Sequence, residues 1–167
     1  MRKNPGLGND IEISTKANET VTTPKKLLQK LEAEKSVQEF EFSDDCIVEF
    51  GNTKDLDNFN QFGIADVESI ESDVHISITY ESDDSTFVLR VGNHQELAVY
   101  TQNNKFEFIA AEELMIGDWF GSKTGDKHGF ITNVETITGK CQLNIIRARE
   151  NDNVDCIELA TGILAKI

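Results

Sequence analysis

The chain has 167 residues, 38 % of them apolar and 28 % charged, with a formal net charge of −14. That length fits one domain with a modest core. The negative balance argues against phosphate backbones as direct ligands, and no run approaches the roughly 20 apolar residues of a membrane-spanning helix. A protein of the cytoplasm is expected. The three cysteines, Cys46, Cys141 and Cys156, are widely spaced and form no Cys-x-x-Cys pair, so neither a metal site nor a cofactor is expected. Each sits in an alternating apolar context that suits a small buried hydrophobe in a reducing compartment.

Residues 1–10 carry Pro5, Gly6 and Gly8 with little to bury, and read as an arm ordered only by a partner. Ile11–Ser14 reads as a short strand. The stretch TPKKLLQKLEAEK is the one clear helix, with Thr23 as N-cap and Pro24 at the first helical position. Leu27, Leu28 and Leu31 form a narrow apolar stripe that suits a sheet edge or another chain, and are the candidate partner-binding residues. Arm and helix (1–35) are set apart from a β-rich domain (36–167).

From Val37 the apolar period becomes two. Phe40 and Phe42, then Cys46, Val48 and Phe50, flank the turn SDD as a hairpin. GNTKDLDNFNQFG reads as a loop, with a helical turn around Leu56 to Phe62. Strands follow at HISITY, TFVLRV, ELAVYT and KFEFIA, separated by ESDDS, GNHQ and QNN. A short helix is expected around Ala110 to Leu114, then strands at DWFGS, GFITNVETIT, QLNIIRAR and DCIELA. The apolar TGILAKI is expected to be paired and buried. The pattern predicts a mainly β fold of twisted hairpins with one N-terminal helix. Charge is uneven: residues 36–84 hold fourteen acids against one lysine, Lys54. Such a run is a solvated face, a surface for a basic partner, or a mimic of DNA.

The order of pieces in VGNHQELAVY and AAEELMIGDWF resembles the Hint fold, shared by inteins and the autoprocessing domain of hedgehog proteins. That family shows a Thr-x-x-His box, a hairpin, and an Ala-x-x-Leu-x-x-Gly-Asp segment. His94 stands at the box, and Ala111, Leu114, Gly117 and Asp118 fall at the spacing of the second segment. ATGILAKI is similar to the intein ending Ala-Asn-Gly-Ile-Leu-Val-His-Asn. The resemblance covers about 74–167, and VTTPKKLLQKL faintly resembles inteins of phage terminase subunits. Gly-Asp is a fold signal here: glycine supplies a positive φ, and an aspartate side chain bonds nearby backbone N–H groups.

Splicing in that family needs an opening Cys or Ser, the box Thr and His, a penultimate His and a terminal Asn. This chain keeps the box His alone. Val91 stands for the Thr, Lys166 for the penultimate His and Ile167 for the Asn, which leaves no amide to cyclise. No Cys opens the module. His94 is then a locally satisfied polar residue, catalytic only if the chain processes itself. His75 and His128 are expected at the surface, and GSKTGDKHG lacks the spacing of a phosphate loop. The resemblance implies a non-catalytic structural or protein-binding module on a Hint-like core, plausibly a bacteriophage virion or accessory protein. Its partners would be other protein chains, in a large assembly. Two alternatives are the larger fragment of a split intein acting in trans-splicing, and an acidic inhibitor that mimics DNA.

Overall fold

A computed structural model describes residues 5–15, 21–34, 47–56, 61–149, 153–159 and 161–167. The side chains of 21 and 31–34 fall outside that description.

Two strands of 22 residues organise the fold. β4 (Gln61–Ser82) and β9 (Lys127–Ala148) run antiparallel from Ala65 opposite Ala148 to Glu81 opposite Phe130. β3 (Ile47–Gly51) pairs with the free side of β4. On the far side of β9 follow β8 (Trp119–Gly121), β6 (Glu96–Tyr100) and β7 (Phe106–Ala110). β10 (Cys156–Glu158) lies on β3, and β11 (Leu164–Lys166) lies on β10. One more pairing, Ala165 opposite Leu97, joins β11 to β6 and closes these strands into a ring. β5 (Ser85–Val91) pairs with β4 outside the ring.

The mainly β fold expected from the alternating pattern is what forms, with two departures in the long strands. The loop read at GNTKDLDNFNQFG, with its helical turn reaching Phe62, gives way to strand at Gln61, and β4 runs from there without a break through HISITY. The segments GFITNVETIT and QLNIIRAR, expected as two strands, are one strand that runs on through Gly139-Lys140-Cys141. There the register shifts between Ser72 and Val74 on β4, and Gly139 takes up the irregularity at φ +127. The glycine thus marks a bulge in a continuing ladder, where sequence alone suggests a turn. The hairpin read at Phe40 to Cys46 lies outside the described residues, which resume at Ile47 in β3. The segment TGILAKI is paired and buried as expected, with Ile163, Leu164 and Ala165 fully enclosed.

The helix α1 (Pro24–Glu34) begins as its sequence dictates, with Lys26 N–H donating to Thr23 Oγ1 at 3.2 Å. It packs against β4. Leu27 is fully buried in the same core as Ile13, Ile78 and Leu159. That burial contributes roughly 1.5–3 kcal/mol, and it takes Leu27 out of reach of a partner. Leu28 is half-buried. Leu31 lies on the helix with its side chain outside the described set. The strand expected at Ile11–Ser14 shortens to β1 (Ile13–Ser14), which pairs with β2 (Val21–Thr22).

The expected arm is also laced into the sheet, and it carries more apolar anchor than its composition suggested. Leu7 is 2 % exposed and exchanges two backbone bonds with Asn144, Leu7 N to Asn144 O at 2.9 Å and the reverse at 2.8 Å. The buried Asn144 side chain completes a clip. Its Nδ2 donates to Leu7 O at 3.0 Å and Asn9 Oδ1 at 2.8 Å, and its Oδ1 accepts from Ser69 Oγ at 2.9 Å. Residues 5–15, α1 and the ring therefore share one core. The boundary read near residue 35 falls among residues outside the description.

Removing that carboxamide strands polar groups where water has little access. Asn144→Ala is expected to cost about 1–3 kcal/mol in urea denaturation and to speed amide exchange at Leu7; unchanged stability would show that the clip is dispensable.

Candidate functional site

The turn after β5 is the place where three distant parts of the chain meet. Gln95 N–H donates to Gly92 O at 3.1 Å and closes the turn around Asn93 and His94. The single 3₁₀ turn Ala111–Glu113 packs beneath it, held by Ala111 N to Gln95 O at 2.9 Å and Glu112 N to Asn93 O at 3.0 Å. These bonds bring the Glu112 carboxylate to both neighbours of the turn. His94 Nε2 lies 3.1 Å from Glu112 Oε1, and Asn93 Nδ2 donates to Oε2 at 3.3 Å. His94 and Glu112 are each about one-third exposed, whereas Asn93 is buried.

Gln95, 5 % exposed, ties in the two other parts. Its Oε1 accepts from Gly6 N–H at 3.0 Å, and its Nε2 donates to Lys166 O at 2.6 Å and Glu96 O at 3.1 Å. Lys166 Nζ sits 3.4 Å from Glu96 Oε2. A single buried carboxamide thus spans the Pro5–Gly8 segment and β11. Sequence reasoning singled out His94 and passed over Asn93, Gln95, Glu112 and Gly6. Their signal was faint: polar residues flanking the box histidine, and an acid one place after Ala111.

The second segment is built as a support. Ala111 is fully buried and Leu114 nearly so. Gly117, at φ +99, lets the chain reverse, and its N–H donates to Ile131 O at 3.0 Å. Asp118 is buried. Its Oδ2 accepts from Met115 N–H at 3.0 Å, and its own backbone bonds Met115 and Ile131. These contacts close the turn and tie it to β9, and none reaches the His94 cluster. Leu27, Leu28 and Leu31 belong to α1 and take no part in this cluster.

The chemistry available here is narrow. His94 and Glu112 form a carboxylate–imidazole pair able to exchange a proton. The backbone bonded to the neighbouring Gln95 side chain is that of Gly6, which has no side chain to attack a carbonyl. A Cβ at that position would stand 3.2 Å from both Asn144 O and Leu143 Cβ. Cys156 is fully buried on β10, and burial pushes its thiol up to about 12. Cys141 is half-buried on β9, where its Sγ approaches Val74 O at 3.8 Å. Cys46 lies outside the described residues. Among the described residues, no cluster of three His, Cys, Asp or Glu is arranged to hold a metal ion, and no helix is long and apolar enough to cross a membrane.

His75 and His128, expected at the surface, are half-buried with shielded ring nitrogens; those of His75 lack a hydrogen-bond partner, and those of His128 lie near backbone groups of Thr161 and Asp126 without a well-formed bond. His75 sits mid-strand in β4 opposite Ile137, and the His128 ring rests on Gly162 in the loop before β11. The long ribbon and the returning terminal segment cover positions that local sequence showed as turn and loop.

No family model matches the sequence, and no curated protein matches it. Solved structures do. The chain superposes on a bacterial intein-like domain from Clostridium thermocellum with a TM-score of 0.66 at 10 % identity, over 99 % of this chain and 100 % of that one. An intein from a hyperthermophile gives 0.60 at 16 % identity, over 98 % and 99 %. A DnaB intein from Synechocystis gives 0.57 at 12 %, over 97 % of each chain. The chain has the Hint, or intein-like, fold over nearly its whole length. The resemblance read at 74–167 extends through the N-terminal segment and helix as well.

Two expectations follow. Gln95→Leu leaves the buried Gly6 N–H without its acceptor, which should cost roughly 1–3 kcal/mol, and also removes the side-chain bond to Lys166 C=O. Limited proteolysis should then cut first near residues 5–8 or 164–167; a digestion pattern identical to the parent would refute the tie. For His128, burial is the largest influence and lowers its pKa from the ordinary 6.5, against opposing pulls from backbone groups of Thr161 and Asp126 and from the charges of Asp83 and Asp126. The unfolded chain therefore takes up this proton first as the pH falls. Stability from this residue is full above pH 6.5 and is lost as the pH drops below 6.5 toward the lower folded-state value. His128→Gln should flatten that part of the curve in urea melts between pH 7.5 and 5.5, measured against the parent.

Proposed function

We propose that the chain is a non-catalytic, protein-binding module on an intein-like core. The observation that carries this reading is the identity of the peptide seated at the box. Gly6 N–H donates to the side chain of Gln95, next to His94, and a glycine offers no nucleophilic side chain of the kind that self-splicing needs beside a proton donor. His94 itself is engaged by Glu112. At the other end, Lys166 and Ile167 stand where the resemblance places His and Asn, and neither can release the chain by amide cyclisation. Shape is retained, and the groups that would cut a peptide bond are replaced.

The fold suits such a module for a physical reason. Closure of the ring and the Gln95 tie hold a rigid scaffold whose surface strands and turns are free to carry recognition. Intact mass spectrometry tests the reading. The chain fused between two reporter domains, incubated with thiol and with hydroxylamine, should keep its full mass over a day at pH 6 to 8.5. A cleaved or ligated product that disappears in His94→Ala would overturn the non-catalytic reading in favour of self-processing. A product formed only with a separate N-terminal fragment would favour trans-splicing.

A further inference from the structure

The edge of β5 is the feature that the ring leaves open. Asp83 and Asp84 form a two-residue turn with φ of 50° and 62°, and Ser82 pairs with Ser85 directly across it. In such a hairpin the pair flanking the turn is hydrogen-bonded, and bonded pairs alternate from there. Phe87 and Leu89 therefore bond toward β4, whereas Thr86, Val88 and Arg90 turn their backbone groups outward. The contact at the far end agrees: Arg90 O, facing out, accepts from Gly8 N–H at 2.9 Å, and Gly92 N–H donates to Gly6 O at 2.9 Å.

The N-terminal segment thus covers this edge only from Arg90 to Gly92. It turns away at Asn9 and Asp10, and a cavity of about 270 Å³ opens between it and β5. Tyr80 and Phe87 form one wall as a stacked pair 5.4 Å apart, with Ile11 and Leu159 also lining the space. Beyond it, the outward backbone groups of Thr86 and Val88 meet no described residue. Phe87 is 36 % and Val88 52 % exposed. Natural sheet edges are blunted by lysine, proline, bulges or a cover. Ser85–Leu89 has no lysine, no proline and an unbroken register, which leaves a cover.

The geometry points to an extended, cationic segment of a partner protein as that cover. It would add to β5 as a strand, continuing the line begun by Gly6–Gly8, and would sink an apolar side chain against Tyr80 and Phe87. Charge selects this occupant. Asp10 and Glu12 line the cavity, Asp83 and Asp84 stand at the turn, and Arg90 is the one cation among the lining residues. A second copy would set acid against acid, and so would the acidic 36–84 stretch of the chain itself. The proposal rests on the reading of the chain as a binding module and adds the surface and the chemistry of its partner.

A fluorescein-labelled decapeptide alternating Lys with Thr or Val around one central Phe, and its Glu-for-Lys counterpart, test it by anisotropy on the full chain. The cationic peptide should bind at least tenfold tighter than the acidic one, and more weakly as salt rises. Val88→Pro removes an outward N–H and no bond to β4, so it should fold normally and lose at least tenfold in affinity. Should that variant misfold, hydrogen exchange on the parent decides: saturating peptide should protect Thr86 and Val88, with Phe87 and Leu89 already slow. Equal binding of both peptides, no binding, or binding without that protection overturns the proposal. So does parent self-association in sedimentation that Val88→Pro abolishes, which would identify a second copy as the cover. None of these outcomes alters the mass-spectrometric test, so failure of the surface and failure of the non-catalytic reading are separable.

Discussion

The fold depends on a three-residue strand. β11 contributes only Leu164, Ala165 and Lys166, yet it pairs with β10 on one side and β6 on the other. Without it the sheet has two open ends and the interior has no wall along Leu97 and Ile157. Ala165 is fully buried, as are Ile163 and Leu164, so the segment contributes apolar area as well as ladder bonds. Gln95 adds a side-chain bond to the same strand and to Gly6. Ring closure and the entry of the N-terminal segment are therefore one structural event, satisfied by one carboxamide.

This arrangement explains how an intein-like shape persists at sequence identities of 10 to 16 %. The positions that define the shape are backbone reversals and small buried contacts: Gly117 at a positive φ, Asp118 holding its own turn, Ala111 beneath the box. The positions that would define the chemistry are separate from them. An apolar terminal residue even suits the buried neighbourhood of β11. The fold therefore sets few constraints on whether the reaction is retained.

Much of the architecture was legible locally. Period-two alternation marked most strands of the second half, and Thr23-Pro24 marked the start of the helix. What escaped was set by distant partners. Leu7 looks like an isolated apolar residue in a flexible arm until Asn144, on β9, is placed beside it. Gly139 looks like a turn until its bulge is seen against Ser72 and Val74. His75 and His128 look exposed because nothing nearby in sequence covers them. At the site, His94 was legible from its place in a quoted pattern, but Glu112 and Gln95 gain meaning only when the 3₁₀ turn and β11 converge on them. A narrow leucine stripe was read as an interface, and Leu27 proved to fill the chain's own interior.

The Gln95 carboxamide carries one more implication. Gly6 and Lys166 hang from opposite sides of the same amide, so the backbone enters and leaves the body within the span of one side chain and two hydrogen bonds. A polypeptide with that property can be spliced into a surface loop of another domain without prising the loop open. Residues 6 and 166 could equally be bridged by a short glycine linker and a new opening cut at the Asp83-Asp84 turn between β4 and β5.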